Sequence, residues 1–436
     1  MNKTYNEYIK ELAGREVTVV GMGISNKPLV RMLAAAGARV TAVDRNPDIE
    51  REEWDALGVT LKLGEGYLDG LDGDLIFRTP GLRPDNPALL GAAGRGSRIT
   101  SEIEALFEVC PCPIIGVTGS DGKTTTTTLI AEMLKAAGRT VHLGGNIGTP
   151  LLTRAGEMSP GDVCVLELSS FQLADMRHSP QIAVITNISP NHLDWHTDMA
   201  EYTAAKRAIF EYHTEGGLAV FNADNAVTAA MRGPDRSAFF GGHRIIDGII
   251  DGFLPVSEIK LRGWHNVENM MAAITALEGL VPRECMLSVA RGFGGVAHRD
   301  EFVCETGGVR YYNDSIGSSP SRTIATLKSH PGRVILIAGG RGKNVPFAPL
   351  AEILPEKVSL LLLVGEAAGQ IESAAREVPG CPPILRAGDI ASAVALAAEN
   401  ARPGDEVLLS PACTSFDQYR NFEERGEHFR KLAEQL

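Results

Sequence analysis

Gly116-Val-Thr-Gly-Ser-Asp-Gly-Lys-Thr-Thr125 decides how the rest of the chain is read. Ile114-Ile-Gly-Val117 reads as a short buried strand, and residues 124–137 read as the helix that follows. The loop between them holds Gly119, Gly122 and Lys123. Glycines let backbone N–H groups turn inward, a helix N-terminus adds partial positive charge, and Lys123 adds a full one. Thr124 stands where a hydroxyl can hold the Mg²⁺ that travels with a nucleotide. The spacing departs from GxxxxGK[ST]: counted back from Gly122 the first glycine falls at Val117, and Gly116 is one residue early. An ordinary strand-to-helix turn can carry two glycines and a lysine. Strand, Gly-x-x-Gly-Lys-Thr-Thr and helix together predict a nucleoside triphosphate site.

A chain of 436 residues, 44% apolar and 22% charged, has ordinary globular composition and room for two to four domains. A formal net charge of −12 argues against a general nucleic-acid or anionic-membrane surface, though not against local basic pockets. The first residues lack the apolar core of a signal peptide and no apolar run reaches membrane-spanning length, so a soluble cytoplasmic protein is expected. Seven scattered cysteines contain no CxxC pair, which suggests neither a disulfide framework nor a zinc site.

Upstream of the central loop, Val17-Thr-Val-Val20 is a predicted strand, followed by Gly21-Met-Gly23-Ile24-Ser25 and a helix to Ala36. Val40-Thr-Ala-Val43 then delivers Asp44 at its tip, about 20 residues after the glycines. This is most of a dinucleotide fingerprint, with Asn26 where the third glycine belongs. It fits a plain βαβ turn and a site for a nucleotide-linked substrate equally. Asp74-Leu-Ile-Phe77 is another strand, and Arg78-Thr-Pro-Gly81 leaves its carboxyl end, where ligands sit in open α/β sheets. A helix over residues 101–110 and the prolines 111 and 113 mark the way out of this segment.

Downstream, Gly144-Gly-Asn-Ile-Gly148 reads as a loop whose backbone approaches something closely. Val163-Cys-Val-Leu166 is a strand that delivers Glu167, a carboxylate placed to ligate Mg²⁺. Residues 182–186 form the next strand, tipped by His192, Asp194 and His196 in one loop. Singly each is a loop or core residue; together they suggest a second metal position. Tyr202, Lys206 and Phe210 share one face of a helix, where a lysine ordinarily snorkels. Asn266 and Asn269 fall one turn apart, able to read the edge of a flat ring or simply to cap and pack. The helix they start is read as the last of this segment. Beyond residue 298 the pattern repeats, with strands over 309–312, 333–338, 358–364 and 406–409. Ser410-Pro-Ala-Cys-Thr-Ser415-Phe-Asp417 is expected to open the terminal helix and form an anion site, with Arg341 and Lys343 serving a similar ligand.

Thr118-Gly-Ser-Asp-Gly-Lys-Thr-Thr125, Glu167-Leu-Ser-Ser-Phe171, Asn191-His-Leu-Asp194, Lys206-x-x-Ile-Phe210, Gly263-x-His-Asn266-x-x-Asn269 and His298-Arg299 occur in this order. Together they resemble the Mur ligases of peptidoglycan synthesis. Leu408-Leu-Ser-Pro-Ala-Cys-Thr-Ser-Phe-Asp417 and Asn421-Phe422-Glu-Glu-Arg-Gly426 are similar to the branch that adds D-glutamate. The resemblance implies an α/β chain of three domains. Residues 1–100 are a Rossmann-like UDP-substrate domain, 101–297 a central P-loop-type ATPase with a parallel sheet, and 298–436 a Rossmann-like amino-acid domain. It also implies a monomer with small-molecule partners only: ATP, UDP-N-acetylmuramoyl-L-alanine and D-glutamate.

Residue by residue, the resemblance implies that Gly119, Ser120, Asp121, Gly122, Lys123, Thr124 and Thr125 hold ATP, with Lys123 on the β- and γ-phosphates. Asn266 and Asn269 face adenine, Arg299 the phosphates and Asp314 the ribose. Thr124 and Glu167 hold Mg²⁺, and His192 holds a second ion with a carbamylated Lys206. Lys123, Glu167, His192 and Lys206 form the catalytic set. Gly23, Ile24, Ser25, Asp44, Arg45 and Gly81 meet the UDP moiety, and Asn146 meets the muramoyl-peptide arm. Ser318, Lys343, Ser415 and Phe422 hold D-glutamate, whose two carboxylates need cation and hydroxyl partners. One departure is Asn313-Asp-Ser-Ile-Gly-Ser-Ser319, where many relatives read Asn-Asp-Ser-Lys-Ala-Thr-Asn, so Ile316 supplies no cation and Ser318 replaces a threonine. The rival readings are a superfamily ligase with another acceptor, such as a folate-extending enzyme, and a nucleotide-binding regulator that ligates nothing.

Overall fold

Buried apolar runs that end in glycine-rich or polar tips, each followed by an amphipathic helix, build three large sheets in this chain. The computed structural model describes residues 3–23, 26–193, 195–261, 263–342 and 345–436. Two units divide at residue 293: Met1–Phe293 and Gly294–Leu436.

In the first unit β1 (Glu16–Val20), β2 (Arg39–Asp44), β3 (Thr60–Leu63), β4 (Leu75–Phe77) and β5 (Arg98–Thr100) pair in parallel in the order β3-β2-β1-β4-β5. The order reverses between β1 and β4, so the tips that follow these two strands flank a crevice at their carboxyl ends. A second parallel sheet comprises β6 (Ile114–Thr118), β7 (Val141–Gly145), β8 (Val163–Glu167), β9 (Ile182–Ile185), β10 (Leu218–Asn222) and β11 (Arg236–Phe240). Its order is β11-β10-β9-β6-β8-β7, which seats β6 between β8 and β9. A small antiparallel sheet of β12 (Ile245–Ile246), β13 (Ile249–Ile250) and β14 (Leu254–Pro255) follows.

Period-two alternation splits each apolar run between two cores. Ile115, Val117, Val163 and Val165 face helices Lys123–Ala136 and Trp264–Leu277 through Leu129, Met133, Met270 and Ile274. Ile114, Cys164 and Leu166 face the opposite way, into a core that runs through helix Glu102–Val109 to Val19, Leu33 and Phe77 of the first sheet. That shared core makes residues up to 293 one unit. Burying a side chain such as Leu166 is worth about 1.5–3 kcal/mol, and 0% of it is exposed.

The first turns of helix Lys123–Ala136 carry five threonines, 124–128, poor helix formers, and three of their hydroxyls bond within the fold. Thr127 and Thr128 donate to the carbonyls of Lys123 and Thr124, both at 2.8 Å, and Thr126 donates to Asn269 Oδ1 at 3.3 Å.

In the second unit β15 (Glu301–Thr306) runs antiparallel to β16 (Val309–Asn313), and β17 (Val334–Gly339), β18 (Val358–Val364), β19 (Ile384–Gly388) and β20 (Glu406–Leu409) complete the order β15-β16-β20-β17-β18-β19. Val334, Leu336 and Ala338 enter one core and Ile335 and Ile337 the other.

Three sequence expectations are corrected. Gly144 and Gly145 belong to β7 rather than to a loop: Gly145 pairs with Glu167, and a Cβ on it would lie 2.2 Å from the Glu167 carbonyl oxygen. Helix Arg283–Gly292 follows the one that starts at Trp264, so the latter is not the last of its segment. Residues 410–417 do not open the terminal helix, which starts at Phe422 with Asn421 accepting from the Glu424 N–H at 2.8 Å. Two edge strands, β15 and β19, carry only partly buried residues and gave no apolar run to read.

In the second unit His330 is buried between two carboxylates, Glu406 Oε2 at 2.6 Å and Asp300 Oδ1 at 2.9 Å. Burial works against its charge. The hydrogen bonds to Asp300 and Glu406, with their charges, outweigh burial and hold the imidazole up at about 9 against an ordinary 6.5. A histidine raised in the folded state stabilises it fully below pH 6.5 and loses that contribution as pH climbs toward 9. Hydrogen-exchange protection of β16 and β20 is therefore expected to fall by up to about 3 kcal/mol over that window. In His330→Gln the profile is expected to be flat, and an equally steep profile would refute the assignment.

Candidate active site

The loop after β6 is sewn to the tip of β9. Ser120 N–H donates to the Asn187 carbonyl at 2.9 Å and Asp121 N–H to Asn187 Oδ1 at 3.0 Å. The Ser120 hydroxyl lies 2.9 Å from both the Ser189 carbonyl and the Tyr202 hydroxyl. Thr186 Oγ1 donates to the Asp121 carbonyl at 2.5 Å. Lys123 Nζ folds back onto the carbonyls of Gly119 (3.0 Å) and Ser120 (2.9 Å). Three consecutive carbonyls are thus held by protein donors. Gly122, at φ 76°, precedes helix Lys123–Ala136 as its N-cap and supplies no side-chain cap, which leaves a helix N-terminus of the kind that holds an anion. Thr124 and Thr125 lie in its first turn.

Asn269 is buried against this loop: a Cβ on Gly122 would lie 2.1 Å from its Oδ1. Its Nδ2 donates to Asn266 Oδ1 at 3.1 Å, which links the two amides into one unit.

Lys206 is 1% exposed and donates to the Gly119 carbonyl at 2.8 Å and Thr118 Oγ1 at 3.3 Å, with the Tyr202 ring 4.8 Å away. Burial first, and the charge of Lys123 second, hold its amine well below the ordinary lysine value, while Glu167 and Asp121 pull the other way. At the end of β8, Glu167 is 2% exposed. Its Oε1 accepts from Asn146 Nδ2 and its carbonyl from Asn146 N–H, both at 2.8 Å, while Oε2 is buried with no hydrogen-bond partner. An unsatisfied anionic oxygen beside a phosphate-type loop suits a hard cation. Among the described residues no three His, Cys, Asp or Glu gather around a metal position. Mg²⁺ here would draw its other ligands from Thr124, phosphate oxygens and water.

His192 is exposed, in the left-handed region at φ 55°, with its ring 4.9 Å from Phe171. His196 is not beside it in a metal loop. It is 1% exposed, with Nε2 3.0 Å from Ser170 Oγ, and burial pushes its imidazole down. Asp194 lies outside the described residues.

In the first sheet Asp44 Oδ2 accepts from the Met22 N–H at 2.6 Å, holding the turn that contains exposed Gly23. Asn26 answers for the missing glycine: its Nδ2 donates to the carbonyls of Val20 (3.1 Å) and Gly21 (2.8 Å) and fastens the helix start to the end of β1. Arg45 and Gly81 are exposed. Ile24 and Ser25 lie outside the described residues.

In the second unit Asp314 emerges from β16 and Ser415 from the loop after its neighbour β20. Asp314 Oδ2 accepts from Ser410 (2.7 Å) and Thr326 (2.8 Å). Burial pushes its carboxyl up to about 6 against those bonds. Ser415 is buried, Ser318 and Arg299 are half-buried, and the Phe422 ring stands 6.1 Å from His298. Arg341 forks onto Glu366 at 3.1 Å, and Lys343 lies outside the described residues. Buried Arg425 was not singled out in the sequence, yet it donates to the carbonyls of Ser315 (2.8 Å) and Cys413 (3.2 Å) and braces both loops. Arg78, Asn187 and Trp195 were likewise missed as framework residues. An arginine directly after an apolar strand was the one available signal.

The comparisons with known proteins bear on this geometry. Residues 117–277 match the Mur ligase middle domain and 298–413 the Mur ligase glutamate ligase domain. Over 458 aligned residues, spanning 100% of both chains, the sequence is 44% identical to the UDP-N-acetylmuramoylalanine--D-glutamate ligase of Clostridium tetani. The chain belongs to the Mur ligase family. It is an ATP-dependent ligase. The protein of the same description from Symbiobacterium thermophilum is 48% identical over 96% of this chain and 97% of its own. Among solved structures, a UDP-N-acetylmuramate-alanine ligase from Thermotoga maritima superposes with a TM-score of 0.56 at 18% identity, covering 97% of this chain and 99% of that one. A pseudomurein peptide ligase type C from Methanothermus fervidus gives 0.51 at 20% identity over 97% and 100%. These likenesses establish a shared α/β fold.

Gly119, at φ 149°, would place a Cβ 1.9 Å from Thr186 Oγ1. Gly119→Ala is expected to lower stability by about 1–3 kcal/mol and to weaken ATP binding at least about tenfold. Calorimetric titration with ATP and Mg²⁺ checks this; wild-type affinity would rule out a close-packed loop.

Proposed function

We propose that this chain joins D-glutamate to UDP-N-acetylmuramoyl-L-alanine at the cost of ATP, releasing ADP and phosphate, in the cytoplasm. One observation carries the acceptor: identity of 44–48% along essentially the whole chain to ligases of that description. The chemistry follows from the task. A carboxylate does not condense with an amine in water unless it is activated. The L-alanine carboxylate attacks the γ-phosphorus of ATP, the bond to ADP breaks, and an acyl phosphate forms. The D-glutamate amine then attacks its carbonyl carbon, and phosphate leaves from the tetrahedral intermediate. Residues 1–100, 101–297 and 298–436 divide the work as UDP-substrate, ATP and amino-acid domains.

This chain's own part is to position the substrates and neutralise charge. Lys123, released from the carbonyls of Gly119 and Ser120, reaches the β- and γ-phosphates. Asn266 and Asn269 read adenine, Arg299 the phosphates and Asp314 the ribose. Gly23, Asp44, Arg45 and Gly81 take the uridine nucleotide, with Ile24 and Ser25, and Asn146 the peptide arm. Ser318, Lys343, Ser415 and Phe422 hold D-glutamate. Thr124 and Glu167 would hold Mg²⁺, and His192 and Lys206 a second ion, and the bound ions would neutralise charge on the triphosphate. Lys206 earns its place as a ligand by carbamylation. A buried amine kept neutral is a nucleophile for CO₂, and the N–C bond formed with loss of a proton turns a cation into a carboxylate-like group.

ATP-dependent incorporation of labelled D-glutamate into UDP-N-acetylmuramoyl-L-alanine tests the reading. Lys123→Ala is expected to cost about a hundredfold or more in turnover with an unchanged melting temperature. Incorporation of a different amino acid would point to another acceptor, and ATP hydrolysis without any product to a regulator.

Lys206→Ala is expected to abolish turnover and to regain part of it with added formate or acetate. Failure of rescue, together with an intact mass showing no CO₂ adduct on the wild-type chain, would end the carbamate assignment.

A further inference from the structure

The loop Thr79-Pro-Gly-Leu82 turns four consecutive carbonyl oxygens onto protein donors. Arg78 Nη1 donates to the carbonyls of Thr79 (3.2 Å), Pro80 (3.2 Å) and Leu82 (2.7 Å). Trp195 Nε1 donates to the carbonyl of Gly81 at 3.0 Å. The Leu82 N–H closes the turn on the Thr79 carbonyl at 3.1 Å, and Pro80 carries no N–H, so what these donors fix is the shape of the loop. Arg78 itself has no exposed side-chain surface. Its remaining donors go to the Phe171 carbonyl (3.2 Å) and to Asp175, with Nε 3.0 Å from Oδ2, both in the segment after β8.

Trp195 is fixed independently. Its N–H donates to the His192 carbonyl at 3.1 Å. Its ring lies 4.7 Å from Phe171 and 4.6 Å from His196, and the Arg83 guanidinium sits 4.9 Å over it. Arg83 also donates to the Trp195 carbonyl and, at 2.8 Å, to Glu201 in the helix Met199–Glu211. The indole therefore spans from the tip of β4 in the first sheet to the loop that carries His192 beyond β9 in the second.

We propose that Trp195 is a positioning residue for the UDP-linked substrate. Its Nε1–H fixes the Gly81 carbonyl, and with it the orientation of the Gly81 loop, and ties that loop to the turn bearing His192. The inference rests on the reading of Gly81 as part of the UDP-substrate site. Trp195 does not touch substrate; it acts through the Gly81 peptide.

Two variants separate the inference from the reading beneath it. Trp195→Phe keeps an aromatic ring between Phe171 and Arg83 and removes the single donor. Gly81→Val projects into open space, since no atom lies within 4 Å of an added Cβ, and blocks the outer side of the loop. Dissociation constants for UDP-N-acetylmuramoyl-L-alanine and ADP are measured by calorimetry, with steady-state KM and kcat alongside. In Trp195→Phe the constant and the KM for the UDP-linked substrate are expected to rise about fivefold to tenfold. ADP affinity, the KM for D-glutamate, kcat at saturation and the melting temperature are expected to hold. If Gly81→Val weakens the UDP-linked substrate and Trp195→Phe does not, the positioning role is overturned and the substrate reading stands. If Trp195→Phe lowers the melting temperature or weakens both ligands equally, the tryptophan is a packing residue and the proposal falls. If neither variant changes affinity, the Gly81 loop is not the substrate's site, and the inference falls with that reading.

Discussion

Two lysine side-chain amines share one carbonyl oxygen. Lys123 and Lys206 both donate to Gly119, at 3.0 and 2.8 Å, and the first unit is arranged so that this crowding can be borne. One amine comes from the helix after β6 and the other from the helix Met199–Glu211, so the shared oxygen fixes these helices against the same strand tip. Like charges that close disfavour each other's ionised form. Glu167 and Asp121 offset part of that cost, and burial of Lys206 decides which amine gives way. Lys123 is half-buried, while Lys206 is sealed against Tyr202.

The same device recurs at the first sheet with different residues. At the phosphate-type loop, lysines and Thr186 take up the carbonyls of residues 119–121; after β4, a buried guanidinium and an indole take up those of 79–82. In each case side-chain donors take up backbone carbonyls and fix the shape of the loop. The arrangement depends on the shared core. Arg78 finds Phe171 and Asp175 only because helix Glu102–Val109 and its neighbours bury one continuous apolar surface between the two sheets.

In the second unit the order β16-β20-β17 brings the ends of three strands together, and polar bracing there is local. Asp314 is held by Ser410 and Thr326, and Arg425 spans the loops after β16 and β20. Arg425 has no carboxylate within ion-pair distance among the described residues, and burial lowers its guanidinium to about 10. Its charge is solvated by backbone and hydroxyl oxygens, which tightens both loops without consuming an acidic side chain.

What could be read in one dimension is what repeats over a few residues. Apolar runs ending in glycine-rich or polar tips placed β1, β4, β6, β8, β17 and β20, and with them the α/β class. The Gly-x-x-Gly-Lys-Thr-Thr run marked the helix start at which an anion is held, because a strand, a turn of left-handed glycines and a helix are set by neighbours in the chain. Edge strands β15 and β19 escaped because their residues are only partly covered and lack an apolar run. The paired amides Asn266 and Asn269 were legible through their spacing, but not the contact of Asn269 with Gly122, which joins positions far apart in sequence. His196 shows the opposite case. Four residues after His192 in sequence it reads as a ligand, whereas in the fold it is buried against Ser170. Local spacing determines which groups are available at a strand's tip. Which of them face outward, which brace the loop from beneath, and how far a buried amine is pushed from its ordinary pKa are decided by charges and dipoles acting across the fold, and those distances exist only once the sheets have packed.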